Sequence, residues 1–199
     1  MKHHLHQLFQ KSLTLILLLF VSFSVWSQSQ QKDAHSATLI SEKSDSYTIK
    51  FELNKFDLVE VETQRGAAYL VSSPQAPNFL KEGAPDLFYL TRSVIIPDQG
   101  SMQVEIIPGA FEEIKGIEIA PSKGNLTRNI DPSSVPYTWG EVYKKDAFYP
   151  ENLAELRSPY IMRDFRGQSI DIYPVQYNPV TKTLRVYSEI TVIVKHNST

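Results

Sequence analysis

Cysteine is absent from all 199 residues. No disulfide framework can brace the fold, no thiolate can ligate a metal, and the chain cannot itself be a cysteine peptidase. Histidine is nearly as scarce. Of the five, His3, His4 and His6 crowd the start, leaving His35 and His196 in polar stretches near the ends. A serine–histidine pair would have to draw its base from a loose terminus, against the preorganisation that catalysis requires. Zinc-ligand spacings and a glycine-rich phosphate cradle are both missing. There is no basic stripe either: 20 Lys and Arg face 22 Asp and Glu, for a net charge of −2, so nucleic acid is not expected as a partner. No cofactor and no metal are expected. Glu60, Glu62, Glu105, Glu112 and Glu113 lie on alternating stretches and read as solvated faces, and nothing selects two of them as a glycosidase pair.

One long apolar run is present. A basic start, MKHHLHQLFQK, leads into SLTLILLLFVSFSVW, Ser12 to Trp26, too short and too rich in serine for a comfortable membrane span. Val25 and Ser27 suit cleavage before Gln28. Residues 1–27 therefore read as a signal peptide and the protein as exported; an uncleaved anchor is the other reading. With no cysteine after the run, a lipid anchor there is excluded. Removing Lys2 and Lys11 with the signal makes the remainder more acidic. That remainder has the length of one domain with a real core.

Residues 28–46 are polar with little periodicity and are expected to be a flexible N-terminal segment. From Tyr47 onward the pattern alternates. Tyr47, Ile49, Phe51 and Leu53 share one face of a strand, Phe56 to Val61 and Ala67 to Val71 suggest two more, and 87–97 reads as a buried strand. MQVEII and FEEIKGIEIA continue the series. A short helix is expected near Pro150 to Leu156, from proline at its start and Glu151 in its first turn. QSIDIYPVQY and TLRVYSEITVIVK predict a hairpin turned by Asn178-Pro179, with Leu184, Val186, Ile190, Val192 and Val194 facing inward. Eight to ten short strands with almost no helix predict an all-β antiparallel sandwich, jelly-roll-like. Its body should span 47–195, with 196–199 starting a linker or tail.

Two further features need a reading. Phe148, Tyr149, Tyr160, Phe165, Tyr173 and Tyr177 could form a sugar-stacking platform, although core packing explains them more simply. The stretch APSKGNLTRNIDPSSVPYTWG, residues 120–140, is a long loop stiffened by Pro121, Pro132 and Pro136 and carrying Arg128 near its middle. On the bare sequence that arginine is a solvated loop residue.

Several blocks together resemble a known family. APSKGNLTR, VPYTWGEVYKKDAFYP, SPYIMRDFRGQ and YNPVTKTLRVYSEITVIV are similar, in order, to the N-terminal propeptide of gingipain-type (family C25) cysteine endopeptidases. The similarity covers most of residues 47–195 and is strongest from Ala120. It implies a β-sandwich prodomain that acts as folding aid and latency-keeping inhibitor of a cognate C25 catalytic domain, in cis or in trans, exported by the type IX system of Bacteroidetes. In the arginine-specific members an arginine of this loop enters the enzyme's specificity pocket, and the matching position here is Arg128. Lys123, Thr127 and Asn129 are the accompanying peptidase-binding candidates. Arg163 and Arg166 are weaker ones, expected instead to form an ion-pair network with Asp164 at a corner turned by Gly167. The chain reaches Thr199 with no catalytic or sorting domain of that layout, so precursor fragment and stand-alone propeptide both stay open. An adhesion or carbohydrate-binding sandwich is the alternative from another functional class.

Overall fold

The structure is a computed structural model that describes residues 32–197; the expected signal peptide, residues 1–27, lies outside the described residues. The chain divides into two units, Met1–Asp33 and Ala34–Thr199, and the architecture below belongs to the second. In chain order its strands are β1 (His35–Lys43), β2 (Ser46–Leu53), β3 (Asp57–Thr63), β4 (Gly66–Ser72), β5 (Leu90–Ile95), β6 (Ser101–Pro108), β7 (Phe111–Lys115), β8 (Ala154–Leu156), β9 (Tyr160–Met162), β10 (Phe165–Ile172), β11 (Val175–Asn178), β12 (Thr183–Tyr187) and β13 (Glu189–Asn197). They pair antiparallel as β1-β2-β13-β6, β5-β10-β8 with β9 also on β10, β11-β12-β7, and β3-β4. This is the expected all-β antiparallel class.

Alternation dictates the core. Ile49 and Phe51 of β2 and Ile190, Val192 and Val194 of β13 point inward and meet Ile170 and Ile172 of β10, Leu184 of β12 and Tyr177 of β11, all at most 3% exposed. Burial of this kind is worth about 1.5–3 kcal/mol per large side chain, and with no cysteine in the chain it must carry the fold. The predicted hairpin is present, β11 against β12 with Asn178 Oδ1 accepting from the Val180 and Thr181 amides. Its arms are shorter than expected. Pro174 and Ser188 interrupt them, and β10 and β13 pass into two other sheets. Tyr187 N donates to Pro174 O at this corner, where strands switch sheets.

Four expectations are corrected. Residues 35–43 are strand β1, zipped to β2 from His35↔Leu53 to Lys43↔Ser46. An edge strand half-exposed on both faces needs no period-two pattern, and a bulge between Leu39 and Ser41 shifts what phase there is. Hence His35 and His196 sit in strands, their Nε2 atoms bonded to Pro74 O and Gln99 O. The helix near 150–156 is instead the short strand β8, because Ala154 and Leu156 pair with Ile172 and Ile170 while Tyr173 N donates to Leu153 O. Strand β5 is an edge strand exposed along most of its length; the buried residues of 87–97 are Leu87, Phe88, Leu90 and Ile96. At the RDFRG corner no ion pair forms among the described residues. Arg166 Nη1 instead donates to Pro97 O and Gly100 O, Arg163 takes the positive φ of the turn, and Gly167 lies in β10 under the Tyr160 ring, 2.8 Å from where a Cβ would stand.

Candidate functional site

The loop 120–140 leaves the core as a strand-like segment. Ala120 N donates to Tyr69 O, Asp86 N to Ala120 O and Ser122 N to Ala84 O, at 2.8–3.0 Å. Ser122 is buried, and its hydroxyl donates to Phe79 O. The returning arm closes on the same place. Gly83 N donates to Ser122 O at 3.0 Å, and Gly140 N donates to Gly83 O at 2.8 Å. Both arms are therefore tied to Gly83. The approach is so close that a Cβ on Gly140 would stand 2.9 Å from Gly83 O, which is why glycine is needed at position 140. Beside this knot, burial raises the Asp86 carboxyl above its usual range, opposed by the hydrogen bond from Asn78.

Aromatic rings carry the returning arm to the core. Tyr137, Trp139, Tyr143 and Tyr177 follow one another at centroid spacings of 6.5, 6.3 and 6.4 Å, a range in which tilted pairs attract. Tyr143 donates to Ile119 O and Tyr177 to Ile117 O. Burial pushes the Tyr143 phenol far above its normal value and Tyr177 up to about 12, so both stay protonated donors. The Arg65 guanidinium lies 4.3 Å over Trp139.

Within the loop, Lys123 reaches across from the outgoing to the returning arm. Its ammonium donates to Pro132 O at 2.7 Å and lies 4.2 Å over the Tyr137 ring. These contacts make it a strut within the loop. Asp131 caps the 3-10 turn Pro132–Ser134 by accepting from Ser133 N and Oγ, and those bonds hold its carboxyl below the usual range. At the tip, Ile130 N donates to Thr127 O at 3.0 Å, closing a turn with Arg128 and Asn129 at its centre. Thr127 Oγ1 donates to Asn129 Oδ1 at 2.6 Å. Arg128 is exposed, with no side-chain hydrogen bond or ion pair to a described residue. Thr127, Arg128 and Asn129 are thus brought together at the tip, Lys123 stands on the flank, and Arg163 and Arg166 belong to the β9–β10 hairpin. Gly83, Trp139 and Gly140 were not singled out in the sequence; the pairing of KEG with TWG would have been the only hint.

The molecule offers a projection rather than a cleft here. An open depression of about 340 Å³ exists elsewhere, lined by Leu53, Phe56, Phe111, Ile114 and Val186 among others, and no loop residue contributes to it. The aromatic platform does not form: Tyr177 is fully buried, Tyr149 and Tyr173 flank Phe79, Phe148 lies under Arg185, and Tyr160 and Phe165 are on the hairpin.

The family model Propeptide_C25 matches residues 27–199. The chain belongs to the C25 propeptide family. Gingipain R1 of Porphyromonas gingivalis is 42% identical over 150 residues, 75% of this chain and 15% of that protein. Gingipain R2 of the same species is 38% identical over 160 residues, 80% of this chain and 22% of that protein. The propeptide thus spans less than a quarter of the length of these relatives. Among solved structures, the complex of P. gingivalis RgpB pro- and mature domains superposes with a TM-score of 0.78 at 37% identity, covering 81% of this chain and 84% of that one. A structure concerning zymogenic latency of gingipain K superposes at 0.69 and 22% identity, covering 84% and 95%, a likeness of fold alone. The resemblance carried by the four sequence blocks is borne out, and the β-sandwich of this propeptide is that of the prodomain fold.

Proposed function

We propose that this propeptide keeps a gingipain-like C25 cysteine peptidase latent, and assists its folding, by seating loop 120–140 in the active-site cleft with Arg128 in the specificity pocket. The observation that carries the reading is the presentation of Arg128: an exposed guanidinium, unpaired among the described residues, at a turn whose supporting loop is tied at both arms to Gly83. A planar, permanently charged fork suits bidentate pairing with a carboxylate at a pocket floor. Tethering lowers the ordering entropy lost on docking. The similarity to a prodomain solved with its mature domain supports a peptidase catalytic domain as the partner, in cis or in trans. It also favours this reading over an adhesion or carbohydrate-binding module.

The apolar run before Gln28 fits a signal peptide and supports export across the inner membrane; onward passage to the outer surface or outside the cell by type IX export is what the family resemblance implies. Among the described residues no helix is long and apolar enough to cross a membrane. The test is inhibition of an arginine-specific C25 peptidase by residues 28–199. Arg128→Ala should weaken it by about 2 kcal/mol or more, as expected of a central anchor. An unchanged inhibition constant would remove Arg128 from this role.

A further inference from the structure

A strand at the end of a sheet presents a row of unpaired amides and carbonyls, a template for another strand unless something blunts it. Strand β7 ends the sheet β11-β12-β7, and no described residue pairs with its outer side. The ladder shows which backbone groups are left over. Tyr187 N donates to Pro174 O on the β11 side of β12, and Ile117, just past β7, donates its amide to Lys182 O. Leu184 and Val186 therefore turn their backbones to their register partners Ile114 and Glu112, and those of Phe111, Glu113 and Lys115 face outward. No proline or bulge interrupts the stretch, whereas β1 is bulged between Leu39 and Ser41. Its side chains are exposed except for Ile114, which lines the open depression beside the strand.

A second copy of β7, meeting this edge antiparallel about a twofold axis, can hydrogen-bond only through the same outward-facing residues, which centres the pairing on a single residue. Centring on Glu112, Glu113 or Lys115 sets two like charges directly opposite each other, which is unfavourable. Centring on Phe111 leaves the rest of β7 unpaired. Centring on Ile114 sets Ile114 against the partner's Ile114, and each Glu113 against the partner's Lys115. The charges suit that register. Glu113 receives both Arg185 hydrogen bonds on Oε1, leaving Oε2 for another donor, and Lys115 is exposed with no hydrogen bond or ion pair to a described residue. Gly116 follows with φ +75° and open space where a Cβ would stand, so it does not obstruct the partner's Glu112 opposite it. We propose that this edge is a self-association surface: two copies of the propeptide join β7 to β7 in the Ile114-centred register, closed by two Glu113–Lys115 pairs. Opposite signs two residues apart distinguish it from an edge that charge merely protects.

The test is sedimentation of the purified chain over roughly a hundredfold range of concentration, reaching ~0.5 mM because so small a contact is weak. The parent should pass from monomer to dimer. Lys115→Glu sets a carboxylate opposite Glu113, and Glu113→Lys sets an ammonium opposite Lys115, so each alone should raise the dissociation constant about tenfold or more. An equal mixture of the two variants restores both opposite-charge pairs. It should form a heterodimer at parent-like concentrations, which also shows that both variants are folded. Register is read separately, by mild oxidation of single-cysteine variants of this cysteine-free chain. Ile114→Cys places two thiols at a non-hydrogen-bonded pair, close enough for a disulfide, and should cross-link. Glu112→Cys, whose two copies stand about 14 Å apart, should not. A parent that stays monomeric throughout, single variants that associate like the parent, or a mixture that does not pair would each overturn the proposal. A monomeric parent whose Lys115→Glu variant inhibits a C25 peptidase less well would overturn it too, giving this edge to the enzyme.

Discussion

Lys123 was expected to bind the peptidase and is found bracing the loop, and the two roles predict different energetics. As a strut it contributes a charged hydrogen bond to Pro132 O and a cation–π contact with Tyr137 at 4.2 Å. The ring contact is worth about 0.5–1 kcal/mol where solvent is near, and the hydrogen bond about 1 kcal/mol before its own exposure reduces it. Lys123→Met keeps most of the stem and removes both. Loss of about 1 kcal/mol of loop preorganisation should weaken inhibition roughly fivefold. The melting temperature should barely move, because the strand pairings and core lie outside the loop. The decisive form is a double-mutant cycle with Tyr137→Leu, read by inhibition titration. If Lys123 acts through Tyr137, the double variant should lose less than the sum of the singles, by about 0.5–1 kcal/mol. Strict additivity would refute the strut and return Lys123 to direct contact with the enzyme.

Gly140→Ala is permitted by its backbone angles, φ −85° and ψ −173°, but places a Cβ against Gly83 O. Overpacking of about 1–3 kcal/mol should appear in denaturant unfolding, and inhibition should fall with the loosened loop; parent-like values in both would dismiss the knot. Asp86→Asn should stabilise the domain at neutral pH, because burial raises the folded-state pKa of Asp86 and makes its charged form unfavourable. The advantage should be present above that folded pKa and fade as pH falls through it. A stability difference flat from pH 3 to 8 would contradict this. Gly167→Ala should destabilise the β9–β10 hairpin by about 1 kcal/mol, a loss relieved in Gly167→Ala/Tyr160→Ala, since the Tyr160 ring is what the new methyl meets. Thermal melts of the three proteins check it.

What the sequence made legible was whatever depends on one strand's own pattern. Ile190, Val192 and Val194 alternate because β13 is paired on both sides and faces a core, and that pattern survives inspection of residues alone. Strand β1 was invisible because its partner, not its composition, makes it a strand. Proline before an acidic residue signalled a helix at 150–156, but pairing with β10 outweighs a local preference that short. Tyr187 is out of phase with the inward-facing Leu184 and Val186 yet is buried, because the chain crosses between sheets at Ser188. At the site, Arg128 could be found from resemblance and its exposure from composition. The knot on Gly83 joins segments far apart in the chain, at Ser122 and Gly140, and the inward turn of Lys123 rests on contacts with Pro132 and Tyr137 inside the loop itself; no residue pattern announces either.

The central claim is that Arg128 occupies a pocket built for a forked cation. It is tested most directly by Arg128→Lys, titrated against an arginine-specific and a lysine-specific C25 peptidase at low and moderate salt. Lysine keeps the charge and loses the bidentate geometry, leaving a pocket carboxylate incompletely paired. Inhibition of the arginine-specific enzyme should therefore weaken by about 1–3 kcal/mol, while inhibition of the lysine-specific enzyme is spared or improved. Salt should change that contrast little, since a pocketed pair is screened less than a surface charge. If the lysine variant inhibits both enzymes within about 0.5 kcal/mol of the parent, as a solvated loop residue would, the pocket is not what Arg128 is for, and the domain must block its enzyme by covering the cleft.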